Sequence, residues 1–338
     1  MIADIIVGLQ HGDCGKGKVT HHLCKEGDYT HVIRYNGGCN AGHTIIHEGE
    51  KFVTHHIPAG VFFGIKSIIG SGCVVNIEQF FKELDELEGK LGAQVRGLVK
   101  IAKNAHVITD KHLEEDSLDT DIGTTKRGNG PAYRDKYDRN GIRAEQIEIL
   151  KPFLVDIYEE LHNYFNDDPD EAPIILFEGA QGFGLDVDWG DYPYVTSSHC
   201  TAAGALLNGI PPQAVRRIWG IAKIYETYVG KKKFQPDDAI FEVIQRAGQE
   251  YGATTGRPRQ CNWLDWNSLE KAIKINGVSD LIFNKTDILE QIKIWKIREN
   301  NKIHDFSSPK HMKNWIVDKL TALSSCPRVY FSGSPVGI

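Results

Sequence analysis

One aspartate, two lysines and four glycines share twelve residues near the N-terminus, Val7-Gly8-Leu9-Gln10-His11-Gly12-Asp13-Cys14-Gly15-Lys16-Gly17-Lys18. Glycines let a backbone turn tightly and aim several N–H groups at one point, and a helix N-terminus with ammonium groups behind it adds positive potential. That combination holds phosphate. The spacing departs from the usual G-x-x-x-x-G-K-[ST] loop, because Gln10 stands at the first glycine and Gly17 where Ser or Thr would ligate Mg²⁺. A metal beside these phosphates therefore needs another oxygen, and Asp13, a carboxylate at the centre of the loop, can ligate Mg²⁺ or take a proton. Without a ligand the same stretch would be only a Gly-rich turn. A second glycine-dense turn, Arg34-Tyr35-Asn36-Gly37-Gly38-Cys39-Asn40-Ala41-Gly42-His43-Thr44, ends in a histidine and suits the same site. Late in the chain, Asn284-Lys285-Thr286-Asp287 follows the apolar run Leu281–Phe283. One carboxylate can accept from both N1–H and the 2-amino group of guanine, a donor pair that adenine lacks, so Asp287 suits a guanine nucleotide with Lys285 along the base. A tetrapeptide this short also occurs as a plain turn.

These loops need strands to deliver them. Runs rich in β-branched residues recur at Ile2–Leu9, His31–Tyr35, Ser67–Ile69, Ala105–Thr109, Pro173–Phe177, Arg217–Ile224, Asp280–Phe283 and Arg328–Phe331. Between them, Ile77, Phe80, Phe81, Leu84, Leu87 and Leu91 keep the three-four spacing of a helix with one buried face, and Leu269, Ile273 and Ile275 repeat it more weakly. The alternation predicts an α/β fold with a mainly parallel central sheet and helices on both faces. Thr44–His47 and Lys51–His55, joined through Glu48-Gly49-Glu50, predict a small inserted hairpin. Asn166–Pro173 is acidic and Pro-containing and reads as a surface loop, so residues 1–338 are expected to form a single domain.

The 338 residues suffice for a substantial core, and the formal net charge of −6 argues against a nucleic-acid coat or a polybasic membrane anchor. No apolar run is long enough to span a bilayer and Met1 leads straight into a strand, which predicts a cytoplasmic protein without nucleic-acid or membrane partners. Cys14, Cys24, Cys39, Cys73, Cys200, Cys261 and Cys326 show neither metal spacing nor a disulfide framework and are expected to be free thiols. Cys14 and Cys39 fall in the phosphate loops, where a positive field would lower a thiol pKa. His11, His21, His22, His55 and His56 read as solvated or structural, since His55-His56 lacks a third metal ligand.

The two glycine loops resemble the G-D-x-G-K-G-K and N-A-G-H-T loops of the adenylosuccinate synthetase family. The resemblance continues in order through Ile122-Gly123-Thr124-Thr125-Lys126-Arg127-Gly128-Asn129-Gly130-Pro131-Ala132-Tyr133, Phe177-Glu178-Gly179-Ala180-Gln181-Gly182, Tyr192-Pro193-Tyr194-Val195-Thr196-Ser197-Ser198, Gly252-Ala253-Thr254-Thr255-Gly256-Arg257 and Asn284-Lys285-Thr286-Asp287. It implies a P-loop-NTPase-related fold and a C–N bond-forming ligase of purine biosynthesis that joins L-aspartate to C6 of a 6-oxopurine nucleotide. The acceptor would be inosinate and the donor GTP, through a 6-phosphoryl intermediate, with GDP and phosphate released. Asp13 is then the base at N1 and a Mg²⁺ ligand together with Gly42. His43 is the acid that stabilises charge on O6 and the γ-phosphate. Gly12, Gly15, Lys16, Gly17, Lys18, Gly42 and Thr44 would hold phosphate, and Lys285, Asp287, Ser332 and Ser334 the guanine end. The acceptor nucleotide falls to Asn40, Thr125, Arg139, Arg143, Gln181, Thr196 and Arg257, and aspartate to Thr255, Arg257 and Arg259. The resemblance also implies a homodimer in which Arg139 is lent to the neighbouring site, although Arg139 alone reads as one charge in the solvated run Arg134–Arg143.

Several positions depart from the family pattern. Cys14 replaces a usual Glu and His11 a usual Trp. Tyr228-Val229-Gly230-Lys231-Lys232-Lys233-Phe234 replaces a T-R-V-G-x-G-P-F run near the acceptor's ribose. Pro258 and Gln260 interrupt a run of four arginines, and Ser334-Pro335 stands for a Gly-Pro. The chain is short, like archaeal and phage relatives, and some of the phage relatives act on dGMP to make N6-succino-2-amino-dAMP. Those relatives usually replace the loop aspartate with a small residue, whereas Asp13 is retained, which favours inosinate while the altered ribose-side loop keeps dGMP as the alternative. A non-catalytic GTP-binding switch would explain only the two ends of the chain.

Overall fold

The computed structural model describes residues 1–120, 122–163, 172–252, 256–324, 327–335 and 337. Nine strands form the central sheet in the spatial order Arg328–Ser332, Asp280–Asn284, Val215–Lys223, Ile2–Gly8, Ile174–Glu178, His31–Arg34, Lys66–Ile69, Val99–Ala102 and Leu154–Val155. Every pairing in it is parallel. The first strand sits in the middle, with later strands added on both sides. The chain therefore reverses its direction of growth beside Ile2–Gly8, and a crevice opens there at the carboxyl edge, where α/β sheets bind ligands.

Both faces of the sheet are covered, as expected from near-continuous apolar strands. Ile5, Val7, Ile33, Phe177, Leu281 and Phe283 enter one hydrophobic cluster, while the intervening Ile6, Val32, Leu176 and Ile282 enter another. The period of two sends alternate side chains to opposite faces. Helix Lys16–Glu26 packs Val19 and Cys24 into the second cluster. Helix Ile77–Leu91 contributes Phe80, Leu84 and Leu87 to the first, and its N-terminus is capped by Asn76, which accepts from Gln79 N–H at 2.8 Å. Helix Trp266–Asn276 buries Leu269 and Ile273 in the same layer, but Ile275 faces outward at 37% exposure.

The eight expected strands are present with ends shifted by one or two residues, and the hairpin is His43–His47 against Glu50–Thr54. The 105–109 run forms the short strand His106–Ile108, which pairs with Val74–Asn76 outside the central sheet. Sequence patterning missed a second, four-stranded sheet of Tyr225–Tyr228, Gln260–Asp265, Lys296–Glu299 and Lys302–Asp305, because these strands are short and rich in polar residues. Most of the acidic 166–173 segment, Thr255 and Cys326 lie outside the described residues. No helix among the described residues is long and apolar enough to cross a membrane.

Candidate active site

Loops that leave the carboxyl ends of the central strands build the site. After Gly8, Gly12 and Gly15 take φ of +86° and +92°, and Asp13 itself takes +49°, conformations that turn the loop back on itself. Gly15 caps the helix beginning at Lys16 without a side chain over its first N–H groups, which leaves them for an anion. Added side-chain bulk is excluded at two points. A Cβ on Gly15 would lie 2.7 Å from Asn284 Nδ2, and one on Gly17 would lie 2.7 Å from His43 Cβ. The 284–287 and 40–44 loops thus both pack on the glycine loop. Asn284 Nδ2 also donates to the Cys14 carbonyl at 2.7 Å, tying the guanine-type turn to the phosphate loop.

Lys16 is buried, and its ammonium donates to the Gln181 carbonyl. Gln181, at φ 53°, donates from Nε2 to Asn40 Oδ1 at 3.0 Å, so these two expected acceptor contacts lie side by side. Asp13 is exposed and forms a 2.9 Å ion pair with Arg259 Nε. Arg259 also donates to Glu250 at 2.6 Å, and Glu250 accepts from Lys223 at 2.8 Å and Tyr225 at 2.7 Å. Burial alone would raise the Glu250 carboxyl, but Lys223 and Arg259 hold it down at about 2. A buried anion therefore anchors the arginine that faces Asp13.

His43 points inward. Its Nδ1 lies 2.5 Å from Glu178 Oε1 and its Nε2 lies 3.1 Å from Arg34 Nη1. A guanidinium can only donate, so Nε2 accepts and the ring proton belongs on Nδ1. Burial, reinforced by the Arg34 charge, lowers the His43 pKa to about 4. Glu178 is wholly buried, also accepts from Ala59 N–H at 3.0 Å, and is held at about 2 because Arg34 and His43 outweigh the burial cost. Sequence reasoning did not assign Arg34 or Glu178, although each is a charged residue that follows apolar residues at the carboxyl end of its strand.

The residues expected on the guanine side gather as well. Lys18 donates to Ser332 Oγ and the Ser334 carbonyl, each at 2.9 Å, so it braces the C-terminal wall instead of lying in the glycine loop's anion cradle. Burial lowers its pKa to about 8, against the opposing charge of Asp287. Lys285 donates to the Gly248 carbonyl at 2.8 Å, and Asp287 is exposed beside Gly333. Thr44 and Thr125 are exposed, Gly42 is half-buried, and Thr196 is fixed by donating its N–H to the Leu185 carbonyl at 2.8 Å. Arg257 is exposed near Tyr228. Arg139, at φ 65°, and Arg143 are exposed beyond helix Asn129–Tyr137, and Arg143 pairs with Glu145 at 3.4 Å. Among the described residues, no hydrogen bond or ion pair joins either arginine to the glycine loops.

The cysteine expectation needs correction. Burial raises the Cys39 thiol to about 11, and Cys14 is sequestered in the hydrophobic cluster beneath the loop. The six described cysteines are free and buried. His55 faces the Ala41 carbonyl at 2.9 Å and His56 accepts from Asn76 N–H at 3.2 Å, which are structural roles. Asp186, Asp188 and His199 could meet a metal, but Asp186 already accepts from the N–H groups of Asp188, Trp189, Cys200 and Thr201 and shapes its own loop.

Such loops at the switch point of a parallel sheet define a nucleotide-phosphate-binding α/β enzyme. The family model of adenylosuccinate synthetase matches residues 5–149 and 144–330. The adenylosuccinate synthetase of Thermodesulfovibrio yellowstonii is 39% identical over 87% of this chain and 79% of its own, and that of Desulforudis audaxviator is 36% identical over 96% and 85%. The fully ligated adenylosuccinate synthetase from Plasmodium falciparum superposes with a TM-score of 0.86 at 26% identity, covering 98% of this chain and 97% of that one. The succinoaminodeoxyadenylate synthetase of cyanophage S-2L, solved with dGMP and dATP, shares the fold at a TM-score of 0.72 and 22% identity over 93% and 97%. The chain belongs to the adenylosuccinate synthetase family, ligases that form a C–N bond.

Proposed function

We propose that this site ligates L-aspartate to C6 of inosinate with GTP as phosphoryl donor, and that residues 1–338 act as one domain around it. The observation that carries the reading is the 2.9 Å pair between Asp13 and Arg259. The carboxylate suited to taking the purine N1 proton touches a guanidinium suited to an aspartate carboxylate, so the two reactants would meet there. Oxide is a poor leaving group at C6. Loss of the N1 proton to Asp13 makes O6 nucleophilic, O6 attacks the γ-phosphate as its bond to the β-phosphate breaks and GDP leaves, and the aspartate amine then displaces phosphate from C6. Lys16, the uncapped N–H groups of Gly15 and Gly17, and Thr44 surround the phosphates. Asp287 and Lys285 face guanine, with Ser332 and Ser334 as the far wall. Asn40, Gln181, Thr125 and Thr196 hold the acceptor, and Thr255 and Arg257 join Arg259 on aspartate.

His43 reaches this chemistry only by leaving Arg34. Once Nε2 takes a proton it can donate to O6 and the γ-phosphate, and Glu178 on Nδ1 stabilises the imidazolium. An oxygen-only donor set, the Asp13 carboxylate and the Gly42 carbonyl, fits Mg²⁺, which keeps waters and phosphate oxygens as its other ligands. Bound there, Mg²⁺ would neutralise charge on the transferring phosphoryl group. Arg139, exposed on left-handed backbone, would be lent to a second subunit in a homodimer, with Arg143 on the acceptor phosphate.

Tyr228 supports a second reading with dGMP as acceptor, since it is buried where the family pattern has an arginine and removes a cation from the sugar side. The test is to incubate purified protein with GTP, Mg²⁺, aspartate and either inosinate or dGMP and identify products by mass. Adenylosuccinate from inosinate supports the reading; product from dGMP alone favours the alternative. GTP hydrolysis without any succinyl-purine overturns both in favour of a GTP-binding switch.

A further inference from the structure

Three of this chain's departures from its family's pattern, at His11, in the 228–234 run and at Gln260, are neighbours in space. His11 lies two residues before Asp13, and its Nε2 is 3.2 Å from Asp191 Oδ2. The same oxygen takes Lys232 Nζ at 2.5 Å. The His11 ring meets Tyr228 and Phe234 edge-on, with centroids 5.5 and 5.1 Å away, and a Cβ on Gly184 would lie 2.7 Å from it. The imidazole side chain is nine-tenths buried in this aromatic slot.

Gln260 closes the other side. Its Oε1 accepts from Phe234 N–H at 2.8 Å and Gln235 N–H at 3.1 Å, while its Nε2 donates to the carbonyls of Lys232 at 2.8 Å and Gly230 at 3.2 Å. An arginine has five donors and no acceptor, so it could not take the two N–H groups. Glutamine at 260 is therefore matched to this loop and not simply a lost cation. Lys231, between them, packs its stem and backbone on Gly123, where a Cβ would meet Lys231 Cγ at 2.9 Å.

The 230–235 loop thus lies between the segment that carries Thr125, met by Lys231, and the loop that carries Asp13, reached by the adjacent Lys232 through Asp191 and His11. The proposed function places the acceptor's phosphate at the first and its base at the second. The sugar joins base to phosphate, so the loop spans the sugar. We propose that His11, Asp191, Lys232, Tyr228 and Gln260 form one clasp that positions the 230–235 loop against the acceptor's sugar and so sets acceptor affinity and ribose-versus-deoxyribose preference. They are positioning residues, and the proposal rests on the ligase reading above. Asp191 is held below the usual carboxylate range by the His11 hydrogen bond and then by Lys232, consistent with a permanent anion at the junction.

Gln260→Ala and Asp191→Ala test this by steady-state kinetics with inosinate and 2′-deoxyinosinate, alongside thermal denaturation. Losing charge-assisted or multiply bonded partners predicts an acceptor KM raised about tenfold or more, with saturated kcat and the KM values for GTP and aspartate within about twofold. The ratio of kcat/KM between ribo- and deoxyribonucleotide should move by about fivefold, and the double variant should be less than additive. Asp191→Asn, which still offers Lys232 an oxygen, should recover part of the loss even if the alanine variant folds poorly. An unchanged sugar ratio, or equal changes in all three KM values, would overturn the clasp. Wild-type protein that makes no succinyl-purine from any acceptor overturns the ligase reading and the clasp with it, whereas an active wild type with indifferent variants overturns the clasp alone.

Discussion

Asp13 is an exposed carboxylate and Glu178 a buried one, and the proposed mechanism gives them different work. Under that proposal, removing the first would take away the base for N1 and an oxygen for the metal, both needed in the transition state. Asp13→Ala should lower kcat about ten thousand-fold while GTP still binds, measured by turnover and by equilibrium titration. Near-normal turnover would sink the mechanism. Glu178 would act through the His43 ring it touches, so Glu178→Gln keeps a hydrogen-bond acceptor but removes the charge that would stabilise the imidazolium. Its kcat should fall about 10–100-fold with little change in any KM, a range set by the usual worth of hydrogen bonds to charged groups. A raised KM with unchanged kcat would instead mark Glu178 as purely structural.

Among elements, the telling junction is Asn284 against the glycine loop. The strand Asp280–Asn284 ends there, and its last side chain reaches the Cys14 carbonyl, so the turn proposed to hold the base is tied to the loop proposed to hold phosphate. Asn284→Ala would leave that carbonyl unpaired and uncouple the two pockets. The KM for GTP should rise about five- to thirtyfold, with the KM for the acceptor changing less, from a net loss of about 1–2 kcal/mol. The 284–287 turn was legible in sequence because a short polar tetrapeptide interrupts an apolar run. Its partner was not, since 270 residues separate Asn284 from Cys14.

At the scale of the whole molecule, assembly and acid stability give separate tests. A lent Arg139 predicts complementation: mixing Arg139→Leu with Asp13→Ala produces heterodimers in which one site has its own Asp13 and the partner's intact arginine. Activity should return to about a quarter of wild type after random exchange, an expectation of two-fold symmetry. Verified exchange without recovery would place Arg139 in its own chain's site or in none. The pH dependence follows from buried neutral imidazoles. Burial is the largest cause lowering the His56 pKa to about 3, so the unfolded chain binds its proton below pH 6.5 while the native chain does not. Stability is therefore whole above pH 6.5 and declines as pH falls toward 3, by about 2–4 kcal/mol for this group. Urea titrations of wild type and His56→Gln at pH 7.5 and 4.5 should show a smaller pH effect in the variant, whose amide oxygen can still accept from Asn76.

What the amino-acid order determined by itself was local. Glycines at 12 and 15, a carboxylate between them and lysines behind them define a phosphate loop wherever it is placed, because turn geometry and charge act within a few residues. Seven of the nine central strands were legible because β-branched and apolar residues cluster in each, while the short Val99–Ala102 and Leu154–Val155 were not. The second sheet was not, since its short mixed strands take their stability from neighbours distant in sequence. Only the tertiary structure decided that His43 lies folded between Arg34 and Glu178, that Arg259 faces Asp13 from a buried Glu250, and that Gln260 and Lys232 close one loop. These depend on which strands the sheet sets side by side, and a charge buried there must find its partner across the fold rather than along the chain.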